Sequence, residues 1–437
     1  MGIGPYGFYN YQPSILNSQL PTGVFSMKLI HLADLHLGKS LHGVSLLEAG
    51  DQPHWVEAFL RLCEARRPDA VVIAGDVYDR SAPSAGAVEL LSRLLTGLTD
   101  LGVQVMLIPG NHDSAQRLAF GRALLTRAGL HIAPPLTAPG ALTRVTLSDE
   151  YGPVDFWLMP YLFPALASEA LGTELRDYDA AVRAVLAAQK VDFTRRNVLA
   201  AHQNVTLGGA EAERGGSETM VGGVGQVDVS AFQGFDYVAL GHIHAGYALG
   251  KPTVRYAGSP LCYHFNETRQ AAKGPLLIEL GPKGTEPAVT LLPLEPLHRM
   301  RTAEGPYEAL RAGEAARTEG GEYVSLTLTD RRVTPEIVED LRGLLEAKGS
   351  VLLEISSSYQ AELGDGTLSA AELNRMGLAE LFAAFYAQRR GGAEPDEASL
   401  ALLRKAEELA ERADCRLSPT EEETDQLLQL ALKEGQA

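Results

Sequence analysis

The chain has 437 residues, a formal net charge of −17, 45% hydrophobic and 21% charged residues, an ordinary globular balance with room for two or three domains. No apolar run reaches the length of a membrane-spanning helix, and the three widely separated cysteines, Cys63, Cys262 and Cys415, form no metal-type spacing and fit a reduced, cytoplasmic setting. Residues 301–437 hold 15 basic against 27 acidic residues, so a phosphate backbone is repelled there and better tolerated by the first 300, while the C-terminal third suits a protein partner.

In chain order, residues 1–26 carry no charge and offer neither the basic start nor the apolar stretch of a secretory signal. They read as a flexible extension. Short apolar runs then alternate with helical patterns, the signature of an α/β domain over 27–295. Strands are expected at 27–33, 69–74, 103–108, 154–159, 197–201, 235–240, 253–257 and 275–280, and helices at 53–66, 86–101, 115–128 and 178–190. The Gly-rich segment 208–226 reads as a long loop, and 295–306 as a linker. A small α/β module follows over 303–360: "EYVSLTLTD" as a strand, "TPEIVEDLRGLLEAKG" as a helix with Thr at its cap and Gly at its end, "SVLLEISS" as a second strand. The tail, 368–437, is helical. Its first helix places Leu378, Leu381, Phe382 and Phe385 on one face, an apolar stripe that needs either its own domain or a partner to cover it. There are no internal repeats.

Five polar clusters share one position relative to these strands. "LIHLADLH" delivers Asp34 and His36, "VVIAGDVYD" delivers Asp76, and "VMLIPGNHD" delivers Asn111, His112 and Asp113. "NVLAAH" ends on His202, and "YVALGHIH" ends on His242 and His244. Alone, Asn-His-Asp after Gly fits a turn. Five clusters in the same slot point to a site, because loops beyond the carboxyl ends of strands converge in α/β sheets. The Gly before Asp76, Asn111 and His242 lets the backbone turn sharply and approach an ion closely. Carboxylate, amide oxygen and imidazole together suit divalent first-row ions better than Mg²⁺ alone. Two Asp, one Asn and four His besides His112 exceed what one ion needs. They suit two ions about 3.5–4 Å apart that share a carboxylate, activate a water and screen a phosphate under attack. A His outside the ligand set, held by a carboxylate, would serve the leaving oxygen.

The ordered set D-x-H, G-D, G-N-H-D, H and G-H-x-H resembles the calcineurin-like metallophosphoesterase superfamily. The phrases "HLADLHLGKSLHGVSLLE", "AGDVYDRSAPS", "PGNHDS", "VGGVGQVDVSAFQGFDYVALGHIH" and "RYAGSPLCYHF" resemble its SbcD branch, the nuclease subunits of bacterial SbcCD complexes. The resemblance covers 27–295 and, more loosely, the rest. It implies a four-layer sandwich of two β-sheets flanked by helices, with a small α/β capping domain and a C-terminal helical segment. It places Asp34, His36, Asp76 and His244 around one ion and Asp76, Asn111, His202 and His242 around the other, with Asp76 bridging. The ions would be Mn²⁺, with Mg²⁺ the alternative. His112 would act at the leaving group with Asp113 orienting it. Archaeal and eukaryotic relatives carry a His three residues after the bridging Asp, where this chain has Asp79.

The activity so implied is 3′→5′ exonuclease and single-strand endonuclease, acting on DNA ends, hairpins and single strands in repair and recombination. An SbcC-like ATPase would dock on the C-terminal helices. The helices at 86–101 and 115–128 would form a homodimer, and the protein would be cytoplasmic, joining the nucleoid when on DNA. Lys39, His42, Arg80 and Arg117 are candidate DNA contacts, and His264 sits in a similar loop. His31 reads as core, and His54, His131 and His298 as surface or loop. The rival enzyme reading is a phosphoprotein or small-molecule phosphoesterase with the same metals. Against it, those enzymes read G-N-H-E where this chain has Asp113, and Gly where Ser81 follows Arg80. A dead scaffold that only recruits the ATPase is disfavoured by the full set of site residues.

Overall fold

The computed structural model describes residues 26–208, 225–269, 272–314, 320–359, 378–389 and, without 398 and 402, 395–405. The extension before residue 26, most of the Gly-rich loop and much of the tail lie outside the described residues.

All eight expected strands form. β1 (Met27–Leu32), β2 (Ala70–Ala74), β3 (Gln104–Ile108) and β4 (Leu130–Ile132) run parallel. β5 (Thr143–Asp149) and β6 (Gly152–Leu158) form a hairpin; β7 (Arg196–His202), β8 (Tyr237–Gly241), β9 (Ala248–Leu249) and β10 (Lys251–Tyr256) complete the second sheet. β11 (Leu276–Leu280) and β12 (Ala288–Leu291) return to the first. The first sheet has the order β12-β11-β1-β2-β3-β4 and the second β9-β10-β8-β7-β6-β5. The three hairpin edges, β11–β12, β9–β10 and β5–β6, are antiparallel, as is β1–β11, and the centres, β1–β4 and β6–β7–β8–β10, are parallel.

The strands are apolar on both faces, as buried parallel strands must be. Leu29, Val72, Met106 and Ile108 of the first sheet pack against Phe156, Val198, Ala200 and Ala239 of the second. The alternate residues Ile30, Val71, Val105 and Leu107 face the helices Asp51–Arg66 and Ala85–Asp100. Leu199, Val238 and Leu240 face the helices Pro164–Leu171 and Tyr178–Ala188. The result is the expected helix–sheet–sheet–helix sandwich. His31 lies in this fold as expected: it is fully buried in β1 and bonded to Tyr237 and Leu240 across the sheets.

Two expectations change. The stretch 115–128 is not one helix: it divides into Ala115–Leu118, Arg122–Leu125 and a 3₁₀ turn Thr126–Ala128, because Gly121 takes a left-handed φ of +69° between them. The linker at 295–306 contains a strand, β13 (Arg299–Gly305), which pairs in parallel with β14 (Glu322–Leu328) from Arg299 opposite Glu322. β15 (Val351–Ser357) follows the helix Pro335–Glu346 and completes a three-stranded parallel sheet over its own core of Val324, Leu326, Leu341 and Leu345. Thr334 caps that helix by position, without a side-chain cap bond.

Asp51 of the larger domain bonds both Tyr323 of the module and His298 just before it. The Tyr323 ring joins the larger domain's core, and its hydroxyl donates to Oδ2 of buried Asp51 at 2.7 Å. His298, read from sequence as surface or loop, lies with Nδ1 3.0 Å from Asp51 Oδ1 and its ring tilted against Tyr323 at 4.8 Å. In the helix Leu378–Arg389, Leu381 and Phe382 are half-buried and Phe385 is 55% exposed.

Candidate metal centre

All five clusters leave the carboxyl ends of β1, β2, β3, β7 and β8 and meet at the seam where the two sheets converge. The loop after β1 pairs with the loop after β2: Asp34 N–H donates to Gly75 O, His36 to Asp76 O and Leu37 to Val77 O, at 2.9–3.0 Å. The second sheet locks in through Asp34 Oδ1, which accepts the His242 N–H at 2.9 Å. Four of the seven expected ligands sit in the left-handed region: Asp34 (φ 54°), His36 (42°), Asp76 (47°) and His242 (103°). Such strain in non-glycine residues persists where surrounding structure holds it, and it gathers at functional sites.

Of Gly75, Gly110 and Gly241 only Gly75 takes a left-handed φ, +87°; all three permit a close approach. What they let close in is protein. A Cβ on Gly75 would stand 2.3 Å from His202 Nδ1, one on Gly110 2.1 Å from Asp76 Oδ1, and one on Gly241 1.9 Å from Ala74 O.

The donors fall into three overlapping groups, one of them His36, Asp76 and His112. Asp34, His36 and His244 bring ligand atoms together, as do Asp34, Asp76 and His202. His36 Nε2 faces His244 Nε2 at 3.1 Å and lies 3.6 Å from Asp76 Oδ2. On the other side, Asn111 Oδ1 lies 3.1 Å from both His202 Nε2 and His242 Nδ1, and His202 Nε2 is 3.3 Å from the same Asp76 oxygen. Asp76 therefore stands between the two sides. His202 donates Nδ1–H to Ala74 O at 2.8 Å, which leaves Nε2 facing the site.

The electrostatics favour cations. Burial opposes charge on His202, yet Asp76, Asp34 and the Ala74 carbonyl outweigh it and push it up to about 9. Burial lifts Asp34 to about 7, against the pull of His202 and His244, while Asp76 is held well below the carboxylate range because its histidines overcome its burial. Burial lowers His36 to about 4 and His242 to about 3, so both are neutral and free to ligate. Asp34 Oδ2 is buried without a hydrogen-bond partner, an expensive state for a carboxylate oxygen unless a cation takes it. The residues present fit two divalent ions.

His112 and Asp113 part company. His112 is exposed and donates Nδ1–H to the Asp79 carbonyl at 3.0 Å, with its ring 4.8 Å from that of His36. The Asp113 carboxylate instead accepts the N–H groups of Gly110, Val77 and Tyr78 at 2.9–3.0 Å, stapling the β2 and β3 loops. The group found orienting His112 is thus the backbone of Asp79, not the carboxylate of Asp113. The expected DNA contacts also divide. Lys39 is engaged inside the site, 2.8 Å from Asp79 Oδ1 and 5.5 Å over the Tyr263 ring. His42 and Arg80 are exposed, and Arg117, also exposed, donates to Ser81 O at 3.2 Å. His264 Nδ1 accepts from Asn266 N–H.

Sequence reading missed three supports. Gln52 bonds the His36 carbonyl and the Gly38 N–H, both at 2.8 Å. Tyr263 donates to Leu35 O at 2.6 Å, with its ring edge-on to those of both His36 and His244 at 5.5 Å. Glu267 lies 3.5 Å from His244 Nδ1. Only Tyr263 carried a signal, in the phrase "RYAGSPLCYHF".

Residues 27–246 match the calcineurin-like phosphoesterase family, and 295–390 match the type 5 capsule protein repressor C-terminal domain. The chain is 34% identical over 294 residues to the SbcD subunit of the nuclease SbcCD of Staphylococcus saprophyticus, covering 64% of this chain and 73% of that protein. It is 32% identical over 289 residues to the SbcD protein of Staphylococcus epidermidis, with the same coverage. A solved dimetal phosphatase from Danio rerio aligns at a TM-score of 0.34 and 12% identity, over 61% of this chain and 99% of that one.

Proposed function

Because the chain belongs to the calcineurin-like phosphoesterase family, and within it to the SbcD nucleases, we propose that it is a metal-dependent DNA nuclease of the SbcCD type that hydrolyses phosphodiester bonds with two divalent ions. The observation that carries this is the convergence of six further donors from both sheets around Asp76, with exposed His112 at the rim.

Asp34, His36, Asp76 and His244 would hold one ion, and Asp76, Asn111, His202 and His242 the other. When bound, such a pair polarises a water and screens the charge of the phosphate. The chain's own contribution is geometry and a proton. The neutral histidines and the ionised Asp76 keep donors aimed inward, and Asp113 fixes the loops that carry them. His112, tied at Nδ1 to Asp79 O, presents Nε2 to the leaving oxygen. Mn²⁺ is the expected metal, as imidazole and carboxylate donors together suit it.

The activity proposed is 3′→5′ exonuclease on double strands and endonuclease on single strands. The module built on β13–β15 would cap the site and select the DNA admitted. An SbcC-like ATPase would dock on the helices from 368 onward, where exposed Phe385 supports the reading. Homodimerisation through 86–101 and 115–128 is supported by Phe120, 85% exposed, and Leu124, 69% exposed, an apolar pair that water does not favour. No described helix is long and apolar enough to cross a membrane; a cytoplasmic location is part of the proposal.

The test is labelled single-stranded DNA beside p-nitrophenyl phosphate esters, with Mn²⁺ and with chelator. Mn²⁺-dependent cleavage of DNA is expected; hydrolysis of the esters without DNA cleavage would return the protein to the phosphatases. Deleting 368–437 should leave single-strand cleavage nearly intact and remove co-purification with the ATPase.

A further inference from the structure

We infer that two carboxylate–lysine pairs, Asp79–Lys39 and Glu267–Lys273, position the two histidines of one metal site and set its affinity apart from that of the other. The inference rests on the two-ion reading above.

His36 and His244 turn Nε2 inward, 3.1 Å apart. Behind each ring, on the Nδ1 side, stands a carboxylate: Asp79 Oδ1 is 3.4 Å from His36 Nδ1, and Glu267 Oε1 is 3.5 Å from His244 Nδ1. A carboxylate there favours the tautomer with the proton on Nδ1. The Nε2 lone pair is then left for the ion, the ring is fixed and its basicity rises. Each carboxylate is itself held by a lysine. Lys39 Nζ lies 2.8 Å from Asp79 Oδ1, and Lys273 Nζ 2.7 Å from Glu267 Oε2. Lys273 also donates to the His244 carbonyl at 2.9 Å and to Ser259 Oγ at 2.7 Å, and Ser259 donates to Glu267 Oε2 at 3.1 Å. Buried Glu267 is thus held between His244, Lys273 and Ser259.

His202 on the other side is built differently. Its Nδ1 donates to a neutral backbone carbonyl, Ala74 O, at 2.8 Å. A carbonyl orients the ring but adds no formal charge behind it. Neither Asp79 nor Glu267 joins a group of converging ligand atoms, so both are positioning residues that act through His36 and His244.

Calorimetric Mn²⁺ titration of the full chain tests this. The wild type should show two binding phases, and His244→Ala identifies the phase that belongs to the His36–His244 site. Glu267→Gln and Asp79→Asn should each weaken that phase by about 10–100-fold and leave the other unchanged. In the His244→Ala background, Glu267→Gln should change nothing further. A purely structural role would weaken both phases alike, and that result, or no change in either, overturns the inference. A melt in chelator checks folding. If Glu267→Gln does not fold, Asp79→Asn decides, and if neither folds the pairs hold the fold and the inference fails. A wild type that binds no Mn²⁺ would instead sink the two-ion reading.

Discussion

The side-chain oxygen of Asn111 lies 3.1 Å from Nε2 of His202, although one residue follows a strand of the first sheet and the other ends a strand of the second. The centre is a seam. Whatever binds there ties the two sheets together and stabilises the folded chain by mass action. At a Mn²⁺ concentration of 100 times Kd the gain should be about 2.7 kcal/mol per site. Thermal melts should rise with Mn²⁺ and fall back with chelator. Asp76→Ala should abolish the rise because its Oδ2 serves both sides, and His244→Ala should remove part of it. A wild-type melting temperature indifferent to Mn²⁺ would count against the assignment.

His112 is grouped geometrically with His36 and Asp76, yet it is exposed and its Nδ1 is committed to Asp79 O. His112→Ser should keep both Mn²⁺ phases and DNA affinity and lower single-turnover cleavage by about 10²–10⁴. Loss of one phase in calorimetry would make His112 a ligand.

Gly241→Ala should damage the site from the backbone outward. Its Cβ would stand 1.9 Å from the Ala74 carbonyl and 2.7 Å from His202 Nδ1, and a strand cannot swing aside like a side chain. A loss of about 1–3 kcal/mol or more is expected, together with weaker Mn²⁺ binding. Gly343→Ala is the control: it is helical with nothing within 4 Å of its Cβ, and should stabilise by about 0.5–1 kcal/mol. Urea titrations of the two variants should move in opposite directions.

His31 gives the fold an acid sensitivity unrelated to metal. Leu240 O accepts Nε2–H at 3.2 Å, so Nδ1 accepts from the Tyr237 hydroxyl at 3.0 Å, and the ring is neutral. Burial lowers it from 6.5 to about 3. Between these values the unfolded chain binds a proton that the folded chain refuses, so stability rises with pH across that window and this contribution is lost as pH falls through it. His31→Leu should flatten this part of the stability–pH curve. It should also cost about 1–3 kcal/mol at pH 8, because Tyr237 and Leu240 lose a partner. An unchanged slope in chelator would assign the acid sensitivity elsewhere.

Pattern alone was enough for an α/β domain and for the polar clusters at its strand ends, while the two-sheet sandwich was what the family resemblance implied. Two-sided apolar strand runs require burial on both faces, and a polar cluster after each such run has nowhere to go but the strand end. Asp34, His36, Asp76, Asn111, His202, His242 and His244 are legible for that reason. What backs them came from packing. Glu267 lies in the short 3₁₀ turn Phe265–Arg269 and Lys273 just before β11, and both meet His244 through tertiary packing that no strand pattern announces. Asp113 sits beside His112 in sequence but turns to three backbone amides, two in the β2 loop and Gly110 in its own, which bind its carboxylate more fully than one imidazole would. The strand Arg299–Gly305 was hidden as a linker because its alternation is weak and its partner, Glu322–Leu328, supplies the pairing. Local pattern fixes which residues point to an end of a sheet; only the packing of one loop on another fixes which atoms they meet there.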